Sequence, residues 1–225
     1  MPRAPRPSPE LEAPPPPGHE RVHLGARTLL VEMPRRLSDP DYEAKGRGDA
    51  KPFWAYLWPS ATALGRLVLA GPRLDGLRVI DLGCGLGVAG FAAAAHGAEV
   101  VAADIRPEAI DLVGRNAALN GLSVAPRVVD FFAPPEDLGT FDGILGADIL
   151  YEDGMLRGTL RFIRAHLRPD GVALLADPMR NLAGGVEGAA RLSGLEVETA
   201  VLSPGTVVQG GMALYTLRHR RRRLG

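Results

Sequence analysis

The chain has 225 residues, 46% of them hydrophobic and 23% charged, enough to bury one substantial core and with nothing in its length that demands two. Its 26 basic and 26 acidic side chains cancel, so no global field recruits nucleic acid or an anionic membrane surface. Cys84 is the single cysteine, which excludes an internal disulfide framework and a cysteine-based structural zinc site and fits a reducing, cytoplasmic setting.

In chain order, residues 1–20 read as a proline-rich flexible arm without the apolar run of a secretory signal, and residues 21–50 as an N-terminal hairpin and loop. Within the latter, "RVHLGARTLLVEMP" turns at Gly25-Ala26, and "SDPDYEAKGRGDAKP" reads as a loop able to gate a site. Residues 51–217 form the periodic core. A helix is expected from Ser60, a candidate cap, to Leu69, stopped by Gly71-Pro72. Short apolar runs then alternate with helical lengths: "LRVIDLG", "AEVVAADI", "APRVVDFF", "FDGILGADIL" and "GVALLADP". That cadence predicts parallel strands with helices on both faces, and ligands beyond the carboxyl ends of the strands. "GLEVETAVLS" and "GMALYTLRH" suggest a closing antiparallel pair whose place in the sheet periodicity does not give. The basic tail, residues 218–225, reads as a solvated end.

Chemistry concentrates after the strands. In "VIDLGCGLGVAG", Asp81 precedes Gly83, Gly85 and Gly87, which allow a tight turn and close backbone approach to a ligand. A carboxylate there suits a ligand with a cationic amino acid portion and repels a pyrophosphate. Gly85, Gly87 and Gly90 also satisfy GxGxxG, which leaves a nicotinamide cofactor open, although the match starts late relative to the strand. Asp104 ends the second predicted strand and can accept from ribose hydroxyls. Asp130 follows the third, placed to accept an adenine amine beside the apolar Phe131. Cys84 lies between two loop glycines with no local base and reads as a steric fit.

These residues resemble the seven-strand S-adenosylmethionine-dependent methyltransferases over roughly residues 50 to 217, with "DLGCGLG" similar to their cofactor loop. The resemblance implies an α/β Rossmann-like seven-stranded sheet with helices on both faces and short N-terminal additions. It also implies that Asp81 and Gly83 meet the methionine portion of the cofactor, Asp104 the ribose and Asp130 the adenine. "DILY", Asp148 to Tyr151, is similar to the DxxY motif of the protein-lysine methyltransferase branch. "WAYLWPSA", with Trp54 and Trp58, resembles that branch's cofactor-side segment before the core. "ADPMR" is similar to the branch acting on the electron transfer flavoprotein β subunit, but Met179 departs from its glycine-containing form.

The expectation is therefore methyl transfer to a lysine presented by a protein, with the electron transfer flavoprotein β subunit as candidate acceptor. Asp148 would orient the amine and Tyr151 support it. Because Asp148 stabilises an ammonium, its assigned duty is positioning rather than obligatory general-base catalysis. Spacing of four allows Trp54 and Trp58 one helical face and a core role. Arg180 is open between organising Asp177 and binding a substrate acid, and no cluster has catalytic-metal spacing. A small-molecule amine methyltransferase and a noncatalytic cofactor-binding interaction module keep most of the same residues.

Overall fold

A computed structural model describes residues 14–34, 53–151, 153–178, 185–202 and 211–220. The gate-like loop, Met179-Arg180, the turn between the last two strands and most of the terminal arm and tail lie outside those residues.

A hairpin of β1 (His19–His23) and β2 (Thr28–Glu32) stands apart as its own two-stranded sheet. It turns where expected, with Gly25 at φ 81° and the Leu24 N–H donating to the Arg27 carbonyl at 2.8 Å. Helix α1 (Pro59–Ala70) leads to β3 (Arg78–Leu82), α2 (Val88–Ala95), β4 (Glu99–Asp104), α3 (Pro107–Leu119) and β5 (Ala125–Val128). After these come β6 (Phe141–Ala147), α4 (Asp153–His166), β7 (Leu167–Asp177), α5 (Gly185–Leu192), β8 (Leu195–Leu202) and β9 (Met212–His219).

The main sheet has seven strands in the order β5-β4-β3-β6-β7-β9-β8. The first five pair in parallel, while β9 inserts antiparallel between β7 and β8. The expected antiparallel pair is present. The chain leaves β3 toward β4 on one side and later returns to lay β6 on the other, so β3 and β6 flank the reversal of strand order where open α/β sheets bind ligands.

Period-two alternation distributes the core over both faces. Val79, Val100 and Ala102 pack with Leu64, Phe91 and the hairpin's Leu29, whereas Ile80, Leu82 and Ala103 pack with Phe141, Phe162 and Leu160. Phe91, Phe141 and Phe162 are fully buried, each worth roughly 1.5–3 kcal/mol over exposure.

Two local expectations are corrected. Ser60 does not cap α1; Pro59 occupies the first helical position after Trp58, since its missing N–H needs no partner there, and Ser60 is buried inside the first turn. Trp54 and Trp58 share no helical face, because Trp54 belongs to a 3₁₀ turn at Phe53–Ala55 that ends before α1 starts.

The hairpin docks through two asparagines. On α3, Asn116 Oδ1 accepts from the Glu32 N–H at 2.7 Å and Asn120 Oδ1 from the Leu30 N–H at 2.8 Å. Asn120 Nδ2 returns a bond to the Leu30 carbonyl at 2.7 Å. One helical turn rises about 5.4 Å and two strand residues about 6.8 Å, so asparagines at i and i+4 read alternate residues of β2 as a neighbouring strand would.

Candidate active site

At the carboxyl ends of β3, β4 and β6 the structure opens a cavity of about 260 Å³. Trp58, Asp81, Gly83, Gly85, Asp104, Asp130, Phe131, Asp148 and Tyr151, widely separated in sequence, all line it. Gly87 does not; at φ 87° it starts α2, where a Cβ would strike the Phe91 ring at 2.6 Å.

The loop after β3 needs its glycines for space as well as for dihedral freedom. Gly85 sits at φ 50°, and a Cβ there would stand 3.0 Å from the Trp54 carbonyl oxygen. The segment before the core therefore lies directly on the loop. Gly90, the third glycine of the GxGxxG match, is inside α2 and faces Asp81: its N–H donates to Asp81 Oδ2 at 2.7 Å, and an added Cβ would meet that oxygen at 3.0 Å. This glycine packs helix on strand.

Asp81 is 2% exposed, and burial pushes its carboxyl up to about 7, against the Gly90 N–H and with the Asp104 charge adding. A carboxylate held this way gains most from a cationic ligand group, which restores the ionised form. Asp104 is also raised by burial, opposed by the N–H groups of Arg106 and Gly85, which its two oxygens accept at 3.0 and 3.1 Å. These bonds fix the carboxylate at the mouth of the turn. Asp130 Oδ1 accepts from the Phe132 N–H at 2.8 Å, and Phe131 stacks on Phe132 with centroids 4.8 Å apart. Burial, with Asp81 and Asp104 adding, holds the Cys84 thiol well above its ordinary range, which keeps it a protonated filler.

Asp148 lies one residue beyond β6 at φ 59°, the one non-glycine residue with positive φ among those described. Its N–H donates to the Ala176 carbonyl of β7 at 2.8 Å, which anchors the turn. This backbone sends the chain out of the sheet, so the acid at the end of an apolar strand meets the cavity instead of the core. Tyr151, 41% exposed, reaches the Phe53 ring at 5.8 Å between centroids. Trp58 Nε1–H donates to the Phe53 carbonyl at 2.7 Å and closes the aromatic segment on itself.

Sequence reasoning missed Phe53, Tyr56, Arg106, Phe132 and Met155, which also line the cavity. The aromatic pair had a signal: both tryptophans, a phenylalanine and a tyrosine fall within six positions of a chain only 5% aromatic. Arg106 and Met155 had none, because the cavity reaches them through topology. Asp177 ends β7 buried and does not line the cavity; with burial first, it raises the Tyr215 phenol.

A family model described as a methyltransferase domain matches residues 74–204. The chain belongs to that family. S-adenosylmethionine is the cofactor this methyltransferase fold serves, and the donor set fits it: a buried carboxylate for a cationic amino group, a second for a diol, and a third beside stacked rings for a base. Over 132 residues the chain is 37% identical to the electron transfer flavoprotein beta subunit lysine methyltransferase of Danio rerio, covering 57% of this chain and 51% of that protein. The chain spans about half the length of the curated relatives it matches first. Among solved structures, the ribosomal protein L11 methylase of Lactobacillus delbrueckii subsp. bulgaricus superposes with TM-score 0.60 at 24% identity, over 73% of this chain and 81% of that one. The glycopeptide N-methyltransferase MtfA, complexed with S-adenosylmethionine, does so with TM-score 0.60 at 15% identity, over 72% and 94%. At those identities the structures establish the fold alone. Among the described residues no group of three side chains could hold a metal ion, and no helix is long and apolar enough to cross a membrane.

Proposed function

We propose that this methyltransferase modifies the side-chain amine of a lysine presented by a protein, in the cytoplasm, with the electron transfer flavoprotein β subunit as the leading acceptor. The observation that carries the reading is the convergence of Asp148 and Tyr151 on the cavity lined by Asp81, Asp104 and Asp130. The likeness to the lysine methyltransferase of Danio rerio supports the choice of acceptor.

S-adenosylmethionine supplies an electrophilic methyl on a sulfonium. Asp81 and the Gly83–Gly85 turn hold the amino acid end, Asp104 the ribose, and Asp130 with Phe131 the adenine. Asp148 draws the acceptor ammonium to the mouth and orients its nitrogen, while Tyr151 and Phe53 wall the entrance against water. Holding nitrogen and methyl in line converts a bimolecular encounter into a near-attack geometry. The ammonium drawn to the mouth must release its proton to solvent before its nitrogen can attack; the charge of a bound sulfonium would favour that release while Asp148 opposes it, which is why Asp148 positions rather than abstracts.

The test is incubation of the purified protein with methyl-labelled cofactor and a cytoplasmic extract, followed by peptide mass analysis. Label on a lysine of a discrete protein, lost in Asp148→Ala, is expected. Label confined to a small amine, or absent despite cofactor binding, contradicts the reading.

A further inference from the structure

The cavity has an aromatic entrance beside its strand-end carboxylates. Phe53, Tyr56, Trp58 and Tyr151 all line it, drawn from the segment before the core and from the turn after β6. Their rings form a chain of tilted contacts: Tyr56 to Trp58 at 5.7 Å, Trp58 to Phe53 at 6.2 Å and Phe53 to Tyr151 at 5.8 Å between centroids. Phe53, Tyr56 and Tyr151 remain 43%, 44% and 41% exposed and belong to neither hydrophobic cluster of the core. The charge is one-sided as well. Among the described residues, the lining carries the carboxyls of Asp81, Asp104, Asp130 and Asp148 against the guanidinium of Arg106.

Ring faces are electron-rich, and a cation within about 6 Å of a ring centroid is attracted to them, most of all an alkylated ammonium, whose weak hydration makes desolvation easy. We propose that the four rings form an ammonium-binding rim that selects the lysine-derived cation and holds its alkylated form, with Asp148 behind it. This rests on the lysine-acceptor reading for the identity of the cation. It assigns specificity roles to Phe53 and Tyr56.

The experiment saturates the protein with S-adenosylhomocysteine, so that a probe cannot take the cofactor's own place. Calorimetry then compares capped Nε-trimethyl-lysine with the neutral isostere in which carbon replaces the charged nitrogen. The ammonium is expected to bind at least about tenfold more tightly, and Phe53→Leu or Tyr56→Leu to weaken it about three- to tenfold while leaving the isostere unchanged. Circular dichroism melts verify that both variants fold. Equal affinity for the two probes, no saturable binding of either, or equal weakening of both by the leucine variants overturns the rim. Transfer to protein lysine is measured in parallel. Ammonium selectivity without lysine transfer counts against the proposed function alone, and lysine transfer without selectivity counts against the rim alone.

Discussion

Asp81→Asn separates what the carboxylate does for the fold from what it does for the ligand. The folded carboxyl keeps its proton up to about 7, whereas the ordinary value is 3.8, so between those values the folded state binds more protons than the unfolded one. Stability from this group is full below the lower value and is lost as pH rises through the upper. At about 1.4 kcal/mol per pKa unit the loss is on the order of 4 kcal/mol. Asparagine keeps an oxygen for the Gly90 N–H and removes the ionisation. Urea denaturation of both proteins from about pH 4 to about pH 8 should therefore show the variant gaining on the wild type by a few kcal/mol across that range. Asp104, raised by burial in the same direction, is present in both proteins, and its repulsion of an ionised Asp81 is part of what the variant removes. Calorimetry with S-adenosylmethionine should show the opposite sign, a loss of about 10- to 150-fold, as expected for a charge-assisted bond of about 1.5–3 kcal/mol. A pH-independent stability difference would refute the burial argument, and unchanged affinity would refute the anchoring role.

Other perturbations address the remaining parts. Asp148→Asn, which tolerates the left-handed backbone, should cut kcat tenfold or more, by about 1.4 kcal/mol at least, with cofactor affinity unchanged; equal losses in both would end the division of labour. Asp148→Ala should in addition lose about 1 kcal/mol of stability in urea, because alanine is strained at φ 59°. Gly85→Ala should weaken cofactor binding by displacing the Trp54 carbonyl, read as faster proteolysis of the segment around residue 54; an alanine variant with native affinity and native cleavage rate would show that the contact yields without cost. Asn116→Leu should cost about 2–4 kcal/mol by leaving β2 backbone groups unmet, with faster hydrogen exchange at the Glu32 amide; unchanged exchange there would mean that the hairpin is held otherwise.

Much of this was legible because it is local. Apolar runs of strand length between helical ones predict a parallel sheet, and an acid at each strand end predicts one site once the strands align. Asp81, Asp104, Asp130 and Asp148 are consistent with that logic. What escaped is tertiary. Strand periodicity does not say that β9 enters between β7 and β8; the order shows only in burial, with β8 largely exposed at the edge and β9 largely buried inside the sheet. Ser60 has the chemistry of a cap, but a proline one residue earlier had already set the helix start. The spacing of Trp54 and Trp58 is helical, yet the chain spends it on a 3₁₀ turn laid across the glycine loop. Asn116 and Asn120 look like exposed helix polar groups until β2 is placed beside them.

Whether the methyl group ends on a lysine nitrogen, as proposed, can be tested without knowing the acceptor. Protein labelled by this enzyme with methyl-labelled S-adenosylmethionine is hydrolysed to free amino acids, and the label is chromatographed against N-methylated lysine standards. Label is expected in methylated lysine, at a rate that falls tenfold or more, by about 1.4 kcal/mol at least, when Asp148→Asn replaces the wild type. Label on another amino acid, or methylated lysine formed equally fast by the variant, contradicts the proposal.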